Sequence, residues 1–315
     1  MTNYITIDGG TTNTRINLVS DFVIKDTLKF NIGAAAGLEN KELLKNTIKA
    51  GIAEILKKNN LQEKDIKRIL ASGMITSEGG LCNLEHLKAP CGICELANGL
   101  YETKFENISE IPFVFARGVK TLGENFSDID MMRGEETELM GLGETIEKDS
   151  LYVLPGSHSK LVYTDEKGRI YKFTTELTGE LISAISKNTI LKGSIDLKPY
   201  DLNEEFLELG YTYTKENGIN AALFKVRILD KLLNNKAEDV FSFFIGTILT
   251  HEIENIIKSD ARKVVICGKH ELREPTALLV KKHSDKKVVT VSDEVSANAS
   301  TYGIIRIYEH FCKKI

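Results

Sequence analysis

Apolar and polar positions alternate along residues 4–8 and again along 16–19, the period of a β-strand. The two runs close on a cluster of Asp, Gly, Thr and Asn, and a third short strand is expected at 22–28. Over residues 41–58 the period changes. Leu44, Ile48, Ile52 and Ile55 recur at three- and four-residue steps, which predicts an amphipathic helix. Residues 67–71 read as a strand running into Gly73, and 112–116 as another. The stretch 77–100 is rich in Gly, Cys and Pro and has no clear period. A helix is expected to open at Glu135, with Leu139, Leu142 and Ile146 on one stripe. Residues 151–154, a Pro-Gly turn and 160–163 predict a second hairpin, followed by a strand at 169–175 and a helix at 180–190. Residues 193–220 look irregular. Helices are expected at 221–233, 237–259, 271–282 and 294–311, with strands at 263–267 and 287–291.

One long-range echo stands out in this pattern. A strand-turn-strand unit bearing Gly with Thr or Ser occurs at 4–19 and again at 151–163. Two polar hairpins, one per half, could grip a single ligand between them.

A chain of 315 residues is long enough for two domains. Its net charge of −4, without a basic block, argues against nucleic acid as a partner. No apolar run approaches transmembrane length and no signal-peptide pattern precedes Asp8, so the expectation is a cytoplasmic protein without a membrane partner. Five cysteines, an odd number, argue against a disulfide framework. Cys91 and Cys94 form a lone CxxC, with Cys82 and His86 near enough in sequence to complete a zinc site. Reduced, unliganded thiols are the expected state.

The first polar turn, "IDGGTTNTR", carries the most chemistry. It is neither a Walker loop nor a Rossmann turn, because a strand follows it rather than a helix. Gly9 and Gly10 let backbone N–H groups approach an anion, and Thr11, Thr12 and Asn13 add polar groups. An acid beside a phosphate site is repulsive unless a cation lies between them, so Asp8 points to Mg²⁺ held through water. A polar hairpin that merely satisfies its own turn would read the same way.

The wider chain resembles the sugar kinases of the actin, hexokinase and Hsp70 superfamily. "IDGGTTNTR" is similar to their first phosphate loop, "LYVLPGSHSKLV" to their second, and "KVVICGKHEL" to their adenosine motif. More narrowly, "GMITS", "MRGEETELMG", "LYVLPGSHSK" and "TGEL" together resemble the 2-dehydro-3-deoxygalactonokinase family over essentially the full length. Residues 78–95 depart from that family's usual Gly-Trp-containing segment, and the chain has no Trp. The resemblance implies an α/β, two-lobed actin-like or ribonuclease H-like ATPase fold, with mixed sheets flanked by helices and the nucleotide in the cleft between lobes. Residues 1–130 would form the first lobe and 131–315 the second.

On this resemblance Glu135 is the expected base, taking the proton of the attacking hydroxyl. Glu136, about 100° further around the helix, should point away. Acids at 135 and 136 would equally favour a first helical turn. Arg133 would pair with a carboxylate or a phosphate, or with a neighbouring acid. Arg15 would brace the first loop or touch ligand. Gly156, Ser157 and His158 would face the phosphates, with Lys160 a strand residue pointing to solvent, and Gly268 would pass the adenosine closely. Gly73, Met74, Ser77, Thr178 and Glu180 are the expected substrate contacts, although Thr178 and Glu180 could equally cap a helix.

The implied cofactors are ATP and Mg²⁺, and the implied reaction is phosphorylation of the 6-hydroxyl of 2-dehydro-3-deoxy-D-galactonate in galactonate catabolism. Another sugar acid, such as the gluconate epimer, is the first alternative; a nucleotide-binding regulator with little turnover is the second. The sequence leaves room for a homodimer.

Overall fold

The computed structural model describes residues 2–143, 149–198 and 201–313. Ile146, expected on the stripe after Glu135, lies outside them. The chain forms two compact units. The first joins Met1–Lys148, Asp165–Lys172 and Ala297–Ile315; the second joins Asp149–Thr164 and Phe173–Ser296. The first unit therefore extends past residue 130. Strand Asp130–Met132 pairs with Val119–Thr121, and the helix Glu135–Gly141 abuts the final helix, Asp293–Cys312. That second contact is made by glycines: a Cβ on Gly141 would strike the carbonyl of Ala299, and one on Gly303 that of Thr137.

A six-stranded sheet organises the first unit, in the order Val23–Phe30, Thr14–Ser20, Asn3–Gly9, Arg68–Gly73, Ser109–Phe115, Tyr101–Phe105. The first three strands are antiparallel and the next two continue in parallel. Alternation along the strands gives the sheet two apolar faces. Ile5, Ile7, Ile16 and Ile69 meet Leu44, Ile48 and Ile52 of the helix Lys41–Lys58. Tyr4, Val19, Leu70 and Val114 meet Ile304, Ile305 and Tyr308 of the last helix. The 41–58 helix has the bounds its period predicts, and its N-cap Asn40 accepts from the backbone of Glu42 and Leu43.

The second sheet repeats the same plan, in the order Ile170–Glu176, Ser159–Thr164, Leu151–Leu154, Lys263–Ile266, Lys287–Thr290. An antiparallel hairpin again leads into parallel strands. The echo between residues 4–19 and 151–163 is thus an echo of topology. Leu151, Val153, Leu161, Val264 and Ile266 pack with the helices Glu204–Asn217 and Ala237–Lys258.

Three expectations change here. Residues 193–220 hold the helix Glu204–Asn217, whose Gly210 lies against the Phe243 carbonyl, while Gly246 lies against that of Leu207. Two glycines let these helices approach backbone to backbone, and their small residues blur the apolar period. Residues 77–100 hold the short strand Leu87–Lys88 and the helix Ile93–Asn98. Finally, Ala237–Lys258 is long and apolar enough to cross a membrane, by length and composition alone. Most of it is buried inside the second unit, as befits a core helix.

Candidate active site

Strand Asn3–Gly9 and strand Arg68–Gly73 end side by side, with Asp8 opposite Ser72 and Gly9 opposite Gly73. Gly73 has φ +82, and a Cβ there would lie 2.5 Å from the Gly9 carbonyl. Gly134 has φ +117, and a Cβ there would lie 3.2 Å from the Cα of Gly73. Only glycine suits positive φ at such distances. Three backbones thus meet without side chains between them, and the helix beginning at Glu135 starts against the ends of both strands.

This junction brings Asp8 and Glu135 together from distant parts of the chain. Burial raises the pKa of Asp8; Arg15 and a hydrogen bond from Ser300 oppose the rise, and the charge of Glu135 adds to it. Glu138, three residues beyond Glu135, is lifted to about 8 by burial, then by Glu135 and Asp8. Glu136 is fully buried and turned back on its own helix start. It accepts from Gly134 N at 2.9 and 3.1 Å and from Thr137 Oγ1 at 3.0 Å. Burial and the charge of Glu135 still raise it to about 7. Glu135 itself is half-buried, and its Oε2 accepts from Arg133 N at 3.0 Å. Sequence reasoning missed Glu138, although a spacing of three places it on the same helix face as Glu135.

Gly10 closes the first turn by donating to the Asn13 carbonyl at 2.8 Å. The carbonyls of Gly10 and Thr11 accept from Ala34 N and Ala35 N, so the short helix Ala34–Glu39 backs the loop. Thr11, Thr12 and Asn13 are exposed at its tip. Arg15 lies opposite Asp8 in the hairpin and donates to the Ala297 carbonyl at 2.6 Å, so it braces the loop. Among the described residues no three His, Cys, Asp or Glu side chains form a metal-holding group. The donors at Asp8 fit a cation that keeps its waters better than one caged by protein.

Arg133 is placed differently from expectation. Its Nη1 donates to the carbonyl and hydroxyl of Thr76, both at 2.6 Å, and its Nη2 to the Leu84 carbonyl at 2.9 Å. Nη2 also lies 3.3 Å from His86 Nδ1. Both terminal nitrogens are engaged, so Arg133 pins the segment after Gly73 rather than offering a two-pronged grip to ligand. Met74 and Ser77 are half-buried in that segment, where Ser77 Oγ donates to the Met74 carbonyl. With His86 facing Arg133, the thiols have other neighbours. Cys91 Sγ contacts the Lys88 carbonyl at 3.1 Å, and Cys94 Sγ lies 3.3 Å from His310 Nε2.

In the second unit the turn at residues 155–158 is bound to the start of helix Thr178–Asn188. Gly179 N donates to the Gly156 carbonyl and Glu180 N to that of Ser157, both at 3.1 Å. His158 Nε2 lies 2.9 Å from Glu180 Oε1. Thr178 Oγ1 donates to Glu252 Oε2 at 2.7 Å, and Glu252 is buried. Thr178 and Glu180, expected on the substrate side, therefore belong with Gly156, Ser157 and His158. Lys160, expected in solvent, is buried, its Nζ 3.4 Å from the His158 carbonyl. Gly268 passes the same turn, since a Cβ on it would stand 3.0 Å from the Pro155 carbonyl.

A cavity of about 390 Å³ opens beside these residues within the second unit. Ile182, Leu202, Phe241 and Ile245 supply apolar wall, and His270 and Glu271 polar rim. Its size and mixed lining suit a flat heterocycle. The lining comes from separate helices and a loop, which no local motif reveals.

The family described as 2-keto-3-deoxy-galactonokinase matches residues 8–307. The chain is 26% identical over 258 residues to the 2-dehydro-3-deoxygalactonokinase of Escherichia coli (strain K12), covering 80% of each. It is 31% identical over 142 residues to a protein of Rhizobium meliloti (strain 1021) named as a probable 2-dehydro-3-deoxygalactonokinase. That match covers 44% of this chain and 46% of the relative, so it spans less than half of each. Among solved structures, a Sinorhizobium meliloti protein assigned as a 2-dehydro-3-deoxygalactonokinase superposes with a TM-score of 0.79 at 20% identity, over 98% of both chains. A ligand-bound xylulose kinase from Lactobacillus acidophilus gives 0.52 at 10% identity, over 100% of this chain and 90% of that one. The fold is that of actin-like sugar kinases, and the chain belongs to the 2-keto-3-deoxy-galactonokinase family, a family of kinases.

Proposed function

We propose that the chain transfers the terminal phosphoryl of ATP to the 6-hydroxyl of 2-dehydro-3-deoxy-D-galactonate, giving the 6-phosphate. The observation that carries this reading is the junction of Gly9, Gly73 and Gly134, which fixes Glu135 beside Asp8. Glu135 takes the proton of the acceptor hydroxyl as the phosphorus–oxygen bond forms. Its neighbour Glu138, lifted to about 8, retains its proton at neutral pH, so one negative charge is removed from beside the base. Residues 9–13 and Gly156, Ser157 and His158 receive phosphate through backbone N–H groups and short polar side chains. The cavity beside Gly268 takes the purine. Asp8 would hold Mg²⁺, which would supply charge neutralisation on the phosphates. Gly73, Met74 and Ser77, pinned by Arg133, meet the acceptor. On this reading the partners are ATP and a sugar acid, and the setting is the cytoplasm.

The test is ADP release from ATP and Mg²⁺ with a panel of sugar acids, with the phosphorylated carbon identified by phosphorus–proton coupling. Acid-dependent release is expected, fastest with 2-dehydro-3-deoxygalactonate and with the phosphate on carbon 6. Fastest release with the gluconate epimer would move the substrate within its class. No acid-dependent release would end the kinase reading for these acids.

A further inference from the structure

A three-stranded sheet in the first unit, Leu87–Lys88, Val119–Thr121 and Asp130–Met132, has two unlike faces. Leu87 pairs with Val119, and Val119 with Met132. Val119 and Met132 are buried, so this parity faces the core. The opposite parity carries Lys88, Lys120 and Met131, with His86 and Arg133 immediately beyond the strand ends. Lys88 stands directly opposite Lys120, and Lys120 opposite Met131. No residue of that parity is acidic.

Like charges set opposite one another in a sheet cost stability. Here the cost is compounded. Arg117, beside the sheet, donates from Nε to the Gly99 carbonyl and from Nη1 to that of Glu85, and among the described residues no acid pairs with it. Burial draws the pKa of Arg133 down, Arg117 draws it further, and buried Glu136 opposes them. His86 is driven to about 4 by burial, Arg133 and Lys120, so it is neutral at physiological pH. With Nδ1 facing the Arg133 guanidinium, the His86 proton belongs on Nε2, which makes that nitrogen a donor. Lys88, Lys120 and Arg133 and one neutral donor, His86, therefore stand together, and Arg133 N touches the Glu135 carboxylate.

We infer that this face binds the carboxylate of the acceptor acid, with Lys120 as its principal cation, Lys88 adjoining, and Arg133 as a positioning residue. The inference rests on the kinase reading above, and it adds where the acid end of the substrate goes. A six-carbon acid phosphorylated at its far hydroxyl has its two ends apart. One sits at Glu135 and the other on the basic face that the same short chain segment, residues 130–135, connects to it. A neutral sugar would leave Lys120 without a counter-charge at this face.

The intact chain is titrated by calorimetry with 2-dehydro-3-deoxygalactonate and with its C1 amide, in wild type, Lys120→Met and Lys57→Met, a remote surface control. Turnover of the acid is measured separately. Wild type should prefer the acid over the amide roughly ten- to hundred-fold, the scale of one charge-assisted hydrogen bond. Lys120→Met should remove most of that preference, and Lys57→Met should keep it. Turnover of the acid by wild type with equal binding of acid and amide, or a preference that survives in Lys120→Met, would overturn the assignment while leaving the kinase reading intact. Neither binding nor turnover of the acid would overturn both.

Discussion

A methyl group added to Gly9 would stand 2.7 Å from the Cβ of Ile75; one added to Gly156 would meet nothing within 4 Å. The two polar turns carry similar residues and are supported by different means. The first is locked by backbone. Gly9 lies against Ile75, and Gly33, at the start of the short backing helix, sits so close that its Cβ would lie 2.5 Å from the Gly10 carbonyl. The second is locked by side chains as well as by Gly179 N and Glu180 N: Glu252 takes Thr178, and buried Lys160 reaches beneath the His158 carbonyl. Residue types alone do not tell how a turn is held, and the two should fail in different ways when changed.

Glu135→Gln should give the largest effect. If Glu135 is the base, its removal should lower kcat by roughly 10²–10⁴ with little change in binding of ATP or acid. Glu252→Gln, beside the second turn, keeps the bond from Thr178 and should leave kcat within a few-fold. Steady-state and binding measurements on both would erase the contrast if the losses proved equal.

Glu252 should show itself in stability instead. Burial lifts it to about 7 from an ordinary 4.5, with Glu176 adding to the rise and Thr178, Ser159 and His251 opposing it. The folded chain then keeps a proton that the unfolded chain has lost. Stability should therefore fall as pH rises from about 4.5 to 7, by about 3 kcal/mol in total. Thermal unfolding at pH 5 and pH 8 should show this fall in wild type and a smaller one in Glu252→Gln. An identical slope in the two proteins would remove Glu252 from the support of the second turn.

Next in size comes the glycine pair. Gly9→Ala should cost about 1–3 kcal/mol by overpacking against Ile75, while Gly156→Ala should stay within about 0.5 kcal/mol. Denaturant titration of the two variants checks the difference, and equal losses would mean that the first turn yields as easily as the second. The smallest change is expected at the partly exposed His158–Glu180 pair. His158→Gln should alter stability by less than about 0.5 kcal/mol, because solvent screens such pairs. A larger loss in the same titration would make this pair a main support of the turn.

Much of the strand framework was legible, because strands 3–9 and 14–20 alternate, strand 151–154 is an apolar run, and the first and third lead into Gly or Pro-Gly. The helix at 204–217 was not, since Gly210, Thr212 and Thr214 occupy positions where packing needs small residues and a period needs large ones. At the site, Asp8, Gly73 and Glu135 could be proposed from motifs, while their meeting depends on parallel pairing that no local pattern encodes. Lys160 was misread because alternation gives a side chain's face without saying what covers that face. Glu252 carried a readable signal that went unused. It lies on the stripe Ile245, Leu249, Ile253 and Ile256 of a core helix, all of them buried, where a carboxylate must find partners.

The last helix has a consequence for how the protein is made. It gives Ser300 to Asp8, the Ala297 carbonyl to Arg15 and Thr301 to Asn17, and it covers Tyr4, Leu70 and Val114. During synthesis these groups emerge after the whole of the second unit, whose residues end at Ser296. The nested unit can close first, while the strands translated earliest wait with one apolar face uncovered. A chain still attached to the ribosome and halted before residue 297 would hold the turn at 155–158 and the cavity beside it, yet Asp8 and Arg15 would lack their partners. The first residues of the chain are then among the last to be put in order.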